Sequence, residues 1–329
     1  MMQFFINTVD PVGSPPATGM RALFMSKSDS SGQAAAPKTS LQVWWQTARP
    51  RTLPAVFGPL LLGQSLVEAP LFSWSVAVLY GLWAVLLQVS VNLANDLFDG
   101  LSGVDGADRL GPARALQSGL LSAGALRQGL FACLAVAMLL GLALSIVGHW
   151  LMALFTLAAL VAVLAYSGGR RPYANLGLGE VVVWVFFGPI AVLGALIAQQ
   201  SPLHVSAWIA GALVGLPVAA IMLVNNLRDR ETDRRAGKLT LAVRLGPQRS
   251  QLVYAALIVL PVVLTAPFAT SVLPGWLLWS GWVALLLAGL ALNHAIRHSS
   301  GVALNRLLGL TALYSLAAAI WLSIPHWGG

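Results

Sequence analysis

The sequence predicts an all-α integral membrane protein, a single bundle of nine transmembrane helices with an internal repeat. Three observations carry this. Hydrophobic residues make up 57% of the 329 positions and charged ones only 9%, where soluble domains carry about 25%, and the mean hydropathy is +0.78. Apolar runs near the length that crosses a bilayer core of about 30 Å recur from residue 53 to the C-terminus. Every one of the 19 Lys and Arg falls before the first run, in alternate loops, or, as Arg127 and Arg306 do, within the first two residues of the run that follows such a loop. By the positive-inside rule this places the N-terminus in the cytoplasm and the C-terminus outside. The net charge of +8 is thus a topology signal rather than a sign of nucleic acid, and no obligate protein partner is implied.

Taken in order, residues 1–40 are rich in Ser, Ala, Gly and Pro without a sustained period, which predicts a disordered extension. They lack the apolar core of a secretory signal. An over-extended start, with translation beginning at Met20 or Met25, and a transit peptide are the two readings of this segment. The nine spans are 53–69, 72–92, 126–146, 150–166, 179–199, 205–226, 251–271, 275–293 and 306–324. The first is the least regular, interrupted by Pro54, Pro59 and Glu68. Cys133 is the only cysteine, so an internal disulfide is excluded. The five histidines show no ligand spacing, and the tryptophans suit the membrane interfaces.

Charge is scarce, and where it gathers is informative. Seven of the 11 acids fall in two stretches, "NLANDLFDGLSGVDGADR" (Asp96, Asp99, Asp105, Asp108) and "NNLRDRETD" (Asp229, Glu231, Asp233). A shift of 134 positions lays Asn92 on Asn226, Asn95 on Asp229 and Asp99 on Asp233, at the cytoplasmic ends of the second and sixth spans. On a helix, each stretch presents one oxygen-bearing stripe, Asn92, Asn95 or Asp96, and Asp99 in the first and Asn225 or Asn226, Asp229 and Asp233 in the second. Two repeats facing each other would bring the stripes to one site. Such a concentration of like charge needs cations. Hard oxygen donors with no His or Cys nearby favour Mg²⁺, which completes its octahedron with substrate phosphates. A diphosphate substrate follows, with Arg109, Arg114, Arg228 and Lys238 as candidate holders of its remaining oxygens. The blander alternative, solvated loop acids at helix ends, is weakened by the matching positions of the two clusters.

These stretches resemble the two aspartate-rich motifs of the UbiA superfamily of intramembrane prenyltransferases, and most closely its MenA branch, the 1,4-dihydroxy-2-naphthoate prenyltransferases. "ARPRTLPAVFGPLLLG", "YSGGRRPYANLGLGEVVVWVFFGPIAVLG" and "RLGPAR" fit the same branch, so the likeness runs from about residue 44 to 250. The resemblance implies a transmembrane prenyltransferase domain over residues 41–329. It also implies Mg²⁺-dependent transfer of a polyprenyl or phytyl group from its diphosphate to dihydroxynaphthoate, with loss of CO₂, in menaquinone or phylloquinone synthesis. The membrane would be a bacterial inner membrane or a thylakoid-type one.

Carried over position by position, the motifs place metal and diphosphate contacts on Asn95, Asp96, Asp99, Asp229 and Asp233, and leave open which of Asp105 and Asp108 faces the metal. Diphosphate contacts fall on Asn95, Arg109, Arg114, Asn226, Arg228, Lys238 and Tyr166. Asp99, Asp229, Asp233 and Lys238 carry the catalysis, and Arg49 and Arg51 are candidates for the naphthoate carboxylate. The commoner superfamily pattern has another Asp four residues after Asp99, where this chain has Gly103. That departure favours the MenA branch over prenyltransferases of other aromatic acceptors. A secondary transporter, the rival from another class, would have repeats too, but would more often carry acids inside its spans.

Overall fold

The computed structural model describes residues 40–103, 110–112, 114–169, 172–265 and 275–324, with only the backbone given for Arg51 and residues 275–278. The described residues are helical, without strands. The expected disorder of the N-terminal segment, and the positions of Asp105, Asp108 and Arg109, lie outside them.

A short helix that the span analysis does not anticipate comes first, α1 (Ser40–Ala48). The apolar helices follow as α2 (Pro54–Ser65), α3 (Trp74–Ser102), α4 (Ala123–Val147), α5 (Leu151–Ser167), α6 (Gly179–Ala198) and α7 (Val205–Arg228). After the six-residue α8 (Arg230–Arg235) come α9 (Leu241–Thr265), α10 (Gly275–Arg297) and α11 (Leu304–Ser323). Seven helices are long and apolar enough to cross a membrane. The two other expected spans correspond to α2, of 12 residues, and α5, of 17, both helical but short. The chain is accordingly a multi-pass membrane protein.

Local chemistry accounts for where these helices stop and bend. Ser122 caps α4 by accepting the N–H of Ala125 at 3.1 Å. α3 ends at Gly103, whose φ of 72° lies in the left-handed region and whose N–H reaches the carbonyl of Asp99. With 29 residues at 1.5 Å each, α3 is about 44 Å long, beyond the roughly 30 Å of a hydrocarbon core. Its acid motif therefore stays helical and projects past the apolar layer, ten residues beyond the expected end of that span.

In α6, Pro189 removes a backbone donor, and the helix opens into a π-turn at Phe186–Ile190. α7 fits against this bend through two small residues. A Cβ on Gly211 would lie 2.8 Å from Cα of Pro189, and one on Gly215 2.8 Å from Cα of Gly188, so the backbones touch where side chains would otherwise hold them apart.

α7 is the most enclosed of the long helices and packs on α6, α9 and α11, while α3 packs on α4 and α5, and α2 on α11. One apolar core forms around α3, α4 and α5, another around α7, α9, α10 and α11. The outer faces expose large apolar side chains such as Leu139, Ile146 and Leu287, as a lipid solvent requires.

Candidate active site

Between the two cores lies a cavity of about 240 Å³. Along α3 its wall runs from Tyr80 to Asp99, about 28 Å of helix at 1.5 Å per residue. One end is polar. The other is apolar and aromatic, with Leu60, Trp83, Leu87, Phe186, Phe187 and Ile190. It has the profile of an amphiphile with a charged head and a hydrocarbon tail.

The polar end is built by the two motifs. Asn92, Asn95 and Asp99 of α3 and Asn226, Asp229 and Asp233 at the end of α7 and in α8 all line this one cavity. All six positions paired by the 134-residue shift are thereby brought together, and all six are buried. Asp99 Oδ2 lies 3.3 Å from Nη2 of Arg114 and 3.5 Å from Nζ of Lys238, both cavity residues. The turn carrying Lys238 is closed by its N–H, which donates to the carbonyl of Asp233 at 2.8 Å, with Gly237 at φ 73°. Asn95 Oδ1 accepts from the hydroxyl of Ser167.

Two residues of the expected set point elsewhere. Asp96 is not part of the cavity wall: its oxygens accept the backbone N–H groups of Ala115 (2.9 Å) and Leu116 (3.1 Å). Both oxygens are thus engaged in fixing the loop that delivers Arg114; by helical spacing Asp96 shares a face with Asn92 and Asp99, and it is this tertiary contact that takes its carboxylate off the cavity. Arg228, a candidate diphosphate contact, is also behind the wall. It forks onto Asp229 (Nε to Oδ1 2.8 Å, Nη2 to Oδ2 2.6 Å) and donates to Oδ1 of Asn225 and of Asn305, each at 2.8 Å. Its donors are committed to holding Asp229 in place, and it borders the separate crevice of Leu110, Thr232 and Ser300.

Arg49 lines the cavity in a left-handed conformation, φ 55°, which is strained for a side chain with a Cβ. The turn is held from α3, where Asn92 Nδ2 donates to the Ala48 carbonyl (2.9 Å) and to Thr52 Oγ1 (3.3 Å). Tyr166 lines the cavity, its hydroxyl 3.5 Å from the sulfur of Met222 and its ring edge-on to Tyr173 at 5.2 Å. Tyr173, in the loop before α6, donates to the Ala162 carbonyl at 2.9 Å. Burial pushes its phenol above the ordinary range, so it remains a donor at any physiological pH.

Sequence reasoning misses Ser167, Glu180 and Asn305, and offers Asn225 only as the alternative to Asn226, whereas both line the cavity. Asn305, at the start of α11, also donates to the Leu110 carbonyl at 3.1 Å and so ties the last helix and the first-motif loop to Arg228. Glu180 had a signal, since it is a lone acid in an apolar span. Asn305 had none, because nothing in "LNRLLG" distinguishes it from a helix-end polar residue.

Among the described residues no three His, Cys, Asp or Glu stand close enough to hold a metal ion by themselves. The acids that line the cavity are Asp99, Asp229 and Asp233, beside the amides of Asn92, Asn95, Asn225 and Asn226. This is a hard-oxygen set that leaves coordination positions for water or phosphate, and it fits Mg²⁺.

The model of the UbiA prenyltransferase family matches residues 56–306. Among curated relatives, a 1,4-dihydroxy-2-naphthoate octaprenyltransferase of Haemophilus influenzae is 35% identical over 78% of this chain and 85% of its own length. Proteins of the same name from Escherichia coli and Mycobacterium tuberculosis are 34% and 36% identical, over 87% and 86% of this chain and 96% and 94% of theirs. The fold is also that of solved structures. A UbiA homolog from Archaeoglobus fulgidus bound to GPP and Mg²⁺ superposes with a TM-score of 0.60 at 17% identity, covering 85% of this chain and 99% of that one. One from Aeropyrum pernix K1 gives 0.62 at 17%, covering 85% and 98%. With three quarters of its length in the family match and relatives aligned almost end to end, the chain belongs to the UbiA prenyltransferase family.

Proposed function

We propose that this protein transfers a polyprenyl or phytyl group from its diphosphate to 1,4-dihydroxy-2-naphthoate, releasing diphosphate and CO₂, in menaquinone or phylloquinone synthesis. One observation carries the reading: two acid motifs, far apart in sequence, face one cavity whose other end is apolar. The relatives named for dihydroxynaphthoate support the choice of acceptor.

In this reading Asp99, Asp229 and Asp233 hold Mg²⁺, which supplies Lewis-acid stabilisation of the leaving diphosphate. Lys238 and Arg114 grip diphosphate oxygens, with Asn95 as a further polar contact. Tyr166, Phe186 and Phe187 line the cavity, keep water out, and offer ring faces to the allylic cation that develops at C1 of the prenyl group. Arg49, with Arg51 nearby in sequence, holds the acceptor carboxylate. The ring's electrons form the new bond to C1, and departure of the carboxylate as CO₂ restores aromaticity. One of Asp105 and Asp108 would add to the metal set and Arg109 to the diphosphate contacts.

The same reading makes α2 and α5 membrane helices with the other seven. That gives nine crossings, a cytoplasmic N-terminus and acid-motif face, and an external C-terminus, in a bacterial inner membrane or a thylakoid-type one. A reporter fused after residue 329 should read outside, and a cytoplasmic signal would overturn the nine-crossing topology.

The test is an assay of membranes containing the protein with dihydroxynaphthoate and prenyl diphosphates of several lengths, with Mg²⁺ or with chelator. Prenylated product and diphosphate should appear only with Mg²⁺. No diphosphate release with any donor would overturn the reading.

A further inference from the structure

Glu180 belongs to neither acid motif, yet it is a buried carboxyl, 4% exposed, in the first turn of α6. Its Oε1 accepts from Nδ2 of Asn226 at 2.9 Å. Its Oε2 is buried without a hydrogen-bond partner among the described residues. A carboxyl so poorly compensated is costly in an apolar bundle, and its retention points to the function of its one partner.

The bond settles which way the Asn226 amide faces. Oε1 of Glu180 is an acceptor, so Asn226 turns its NH₂ toward Glu180 and leaves Oδ1 on the cavity side, where the residue forms part of the wall. Asn92, its counterpart 134 positions earlier, is fixed in the same sense. Its NH₂ donates to the Ala48 carbonyl, which can only accept, and Oδ1 is again left over. Neither Oδ1 accepts a hydrogen bond among the described residues. Each repeat therefore presents one neutral amide oxygen beside its acids, locked from behind by an acceptor. Turning either amide over would replace an oxygen ligand with an NH₂ that repels a cation.

We infer that Glu180 is a positioning residue, which holds Asn226 with its amide oxygen toward the cavity as a ligand for the divalent cation that accompanies the diphosphate. The inference rests on the cation–diphosphate reading of this cavity. It adds a specific cause for the orientation of one ligand, lodged in a helix outside both motifs.

The test uses the full chain purified in detergent and Mn²⁺ with inorganic diphosphate, bound Mn²⁺ being counted by electron paramagnetic resonance. Second-layer partners of metal ligands typically change affinity by about 10- to 100-fold, so E180L should weaken Mn²⁺ binding by about that factor. N226L should match it, and E180L/N226L should be no weaker than N226L alone. E180Q keeps an acceptor oxygen for Asn226 and should stay within about threefold of the unaltered protein. N226D sets two carboxylates against each other and should lose binding, whereas E180Q/N226D restores a donor and an acceptor and should regain it.

Unchanged binding in E180L, an E180Q as weak as E180L, or additive losses in the double variant would overturn the inference while leaving the site reading intact. If E180L does not fold, the E180Q/N226D pair decides: regained binding supports the inference and no recovery overturns it. Absence of Mn²⁺–diphosphate binding by the unaltered protein would overturn both.

Discussion

Arg228 offers the sharpest contrast between what its sequence neighbours suggest and what its contacts show. As a diphosphate contact it would matter to substrate affinity and little to stability. In the structure its guanidinium is buried, forks onto Asp229 and reaches Asn225 and Asn305. Replacing Arg228 by Met leaves the Asp229 carboxylate without that cation and two amide oxygens without their donor. Breaking a buried ion pair costs about 3–5 kcal/mol. Because Asp229 also faces the cavity, where water can partly solvate it, the lower end applies, about 3 kcal/mol. That is a large share of the roughly 5–15 kcal/mol that holds a typical fold. The assay pairs thermal unfolding in detergent with donor-dependent rates. R228M should unfold several degrees lower and lose turnover, and R228K, which keeps the charge without the fork, should fall between. An R228M protein with unchanged unfolding and only a raised KM for the donor would refute the positioning role and restore the diphosphate contact.

The remaining predictions separate the other residues in the same manner. Lys238→Met removes a cation that lines the cavity 3.5 Å from Asp99; it should lower kcat/KM for the donor by at least about tenfold with little change in unfolding. D99A and D233A should each abolish measurable turnover while the protein remains folded in detergent, and retained activity would remove that residue from the site. Asp96→Ala should leave Mg²⁺ dependence unshifted but cost about 1–3 kcal/mol by orphaning the Ala115 and Leu116 N–H groups, read as faster proteolysis between residues 110 and 121. Gly211→Ala sets a Cβ 2.8 Å from Pro189 Cα and should destabilise by about 1–3 kcal/mol through overpacking, seen in thermal unfolding.

Sequence makes the helices legible because lipid requires long apolar runs, and each of the nine spans meets a helix at its position. The ends were less legible where they depend on backbone detail. α3 runs on to Ser102 because "NLANDLFD" has helical spacing without proline, and the helix passes Gly100 before Gly103 ends it at positive φ, whereas hydropathy ends the span where polar residues gather. The π-turn in α6 has a local signal in Pro189, but the close approach of Gly211 to Pro189 and of Gly215 to Gly188 is a tertiary contact that no local pattern contains.

The site shows the same division between residue type and direction. The 134-residue shift placed six residues on one cavity because a helical stripe fixes the side from which Cβ leaves. Asp96, four residues after Asn92 and three before Asp99, fits the same stripe as well as Asn95 does, and its engagement with the Ala115 and Leu116 N–H groups is a tertiary contact that the helix period does not contain. Arg228 and Lys238 could not be separated in this way, since both are basic residues beside acids and their roles depend on what else they reach. Arg228 is enclosed by Asn225, Asp229 and Asn305, one of them from a helix 77 residues away, and its charge is spent inside the protein. Lys238 follows a glycine turn with φ 73°, meets Asp99 alone among the acids of the described residues, and lines the cavity. A charge whose donors are all satisfied by the protein orders the site, while one that is only partly satisfied is left to act on what binds there.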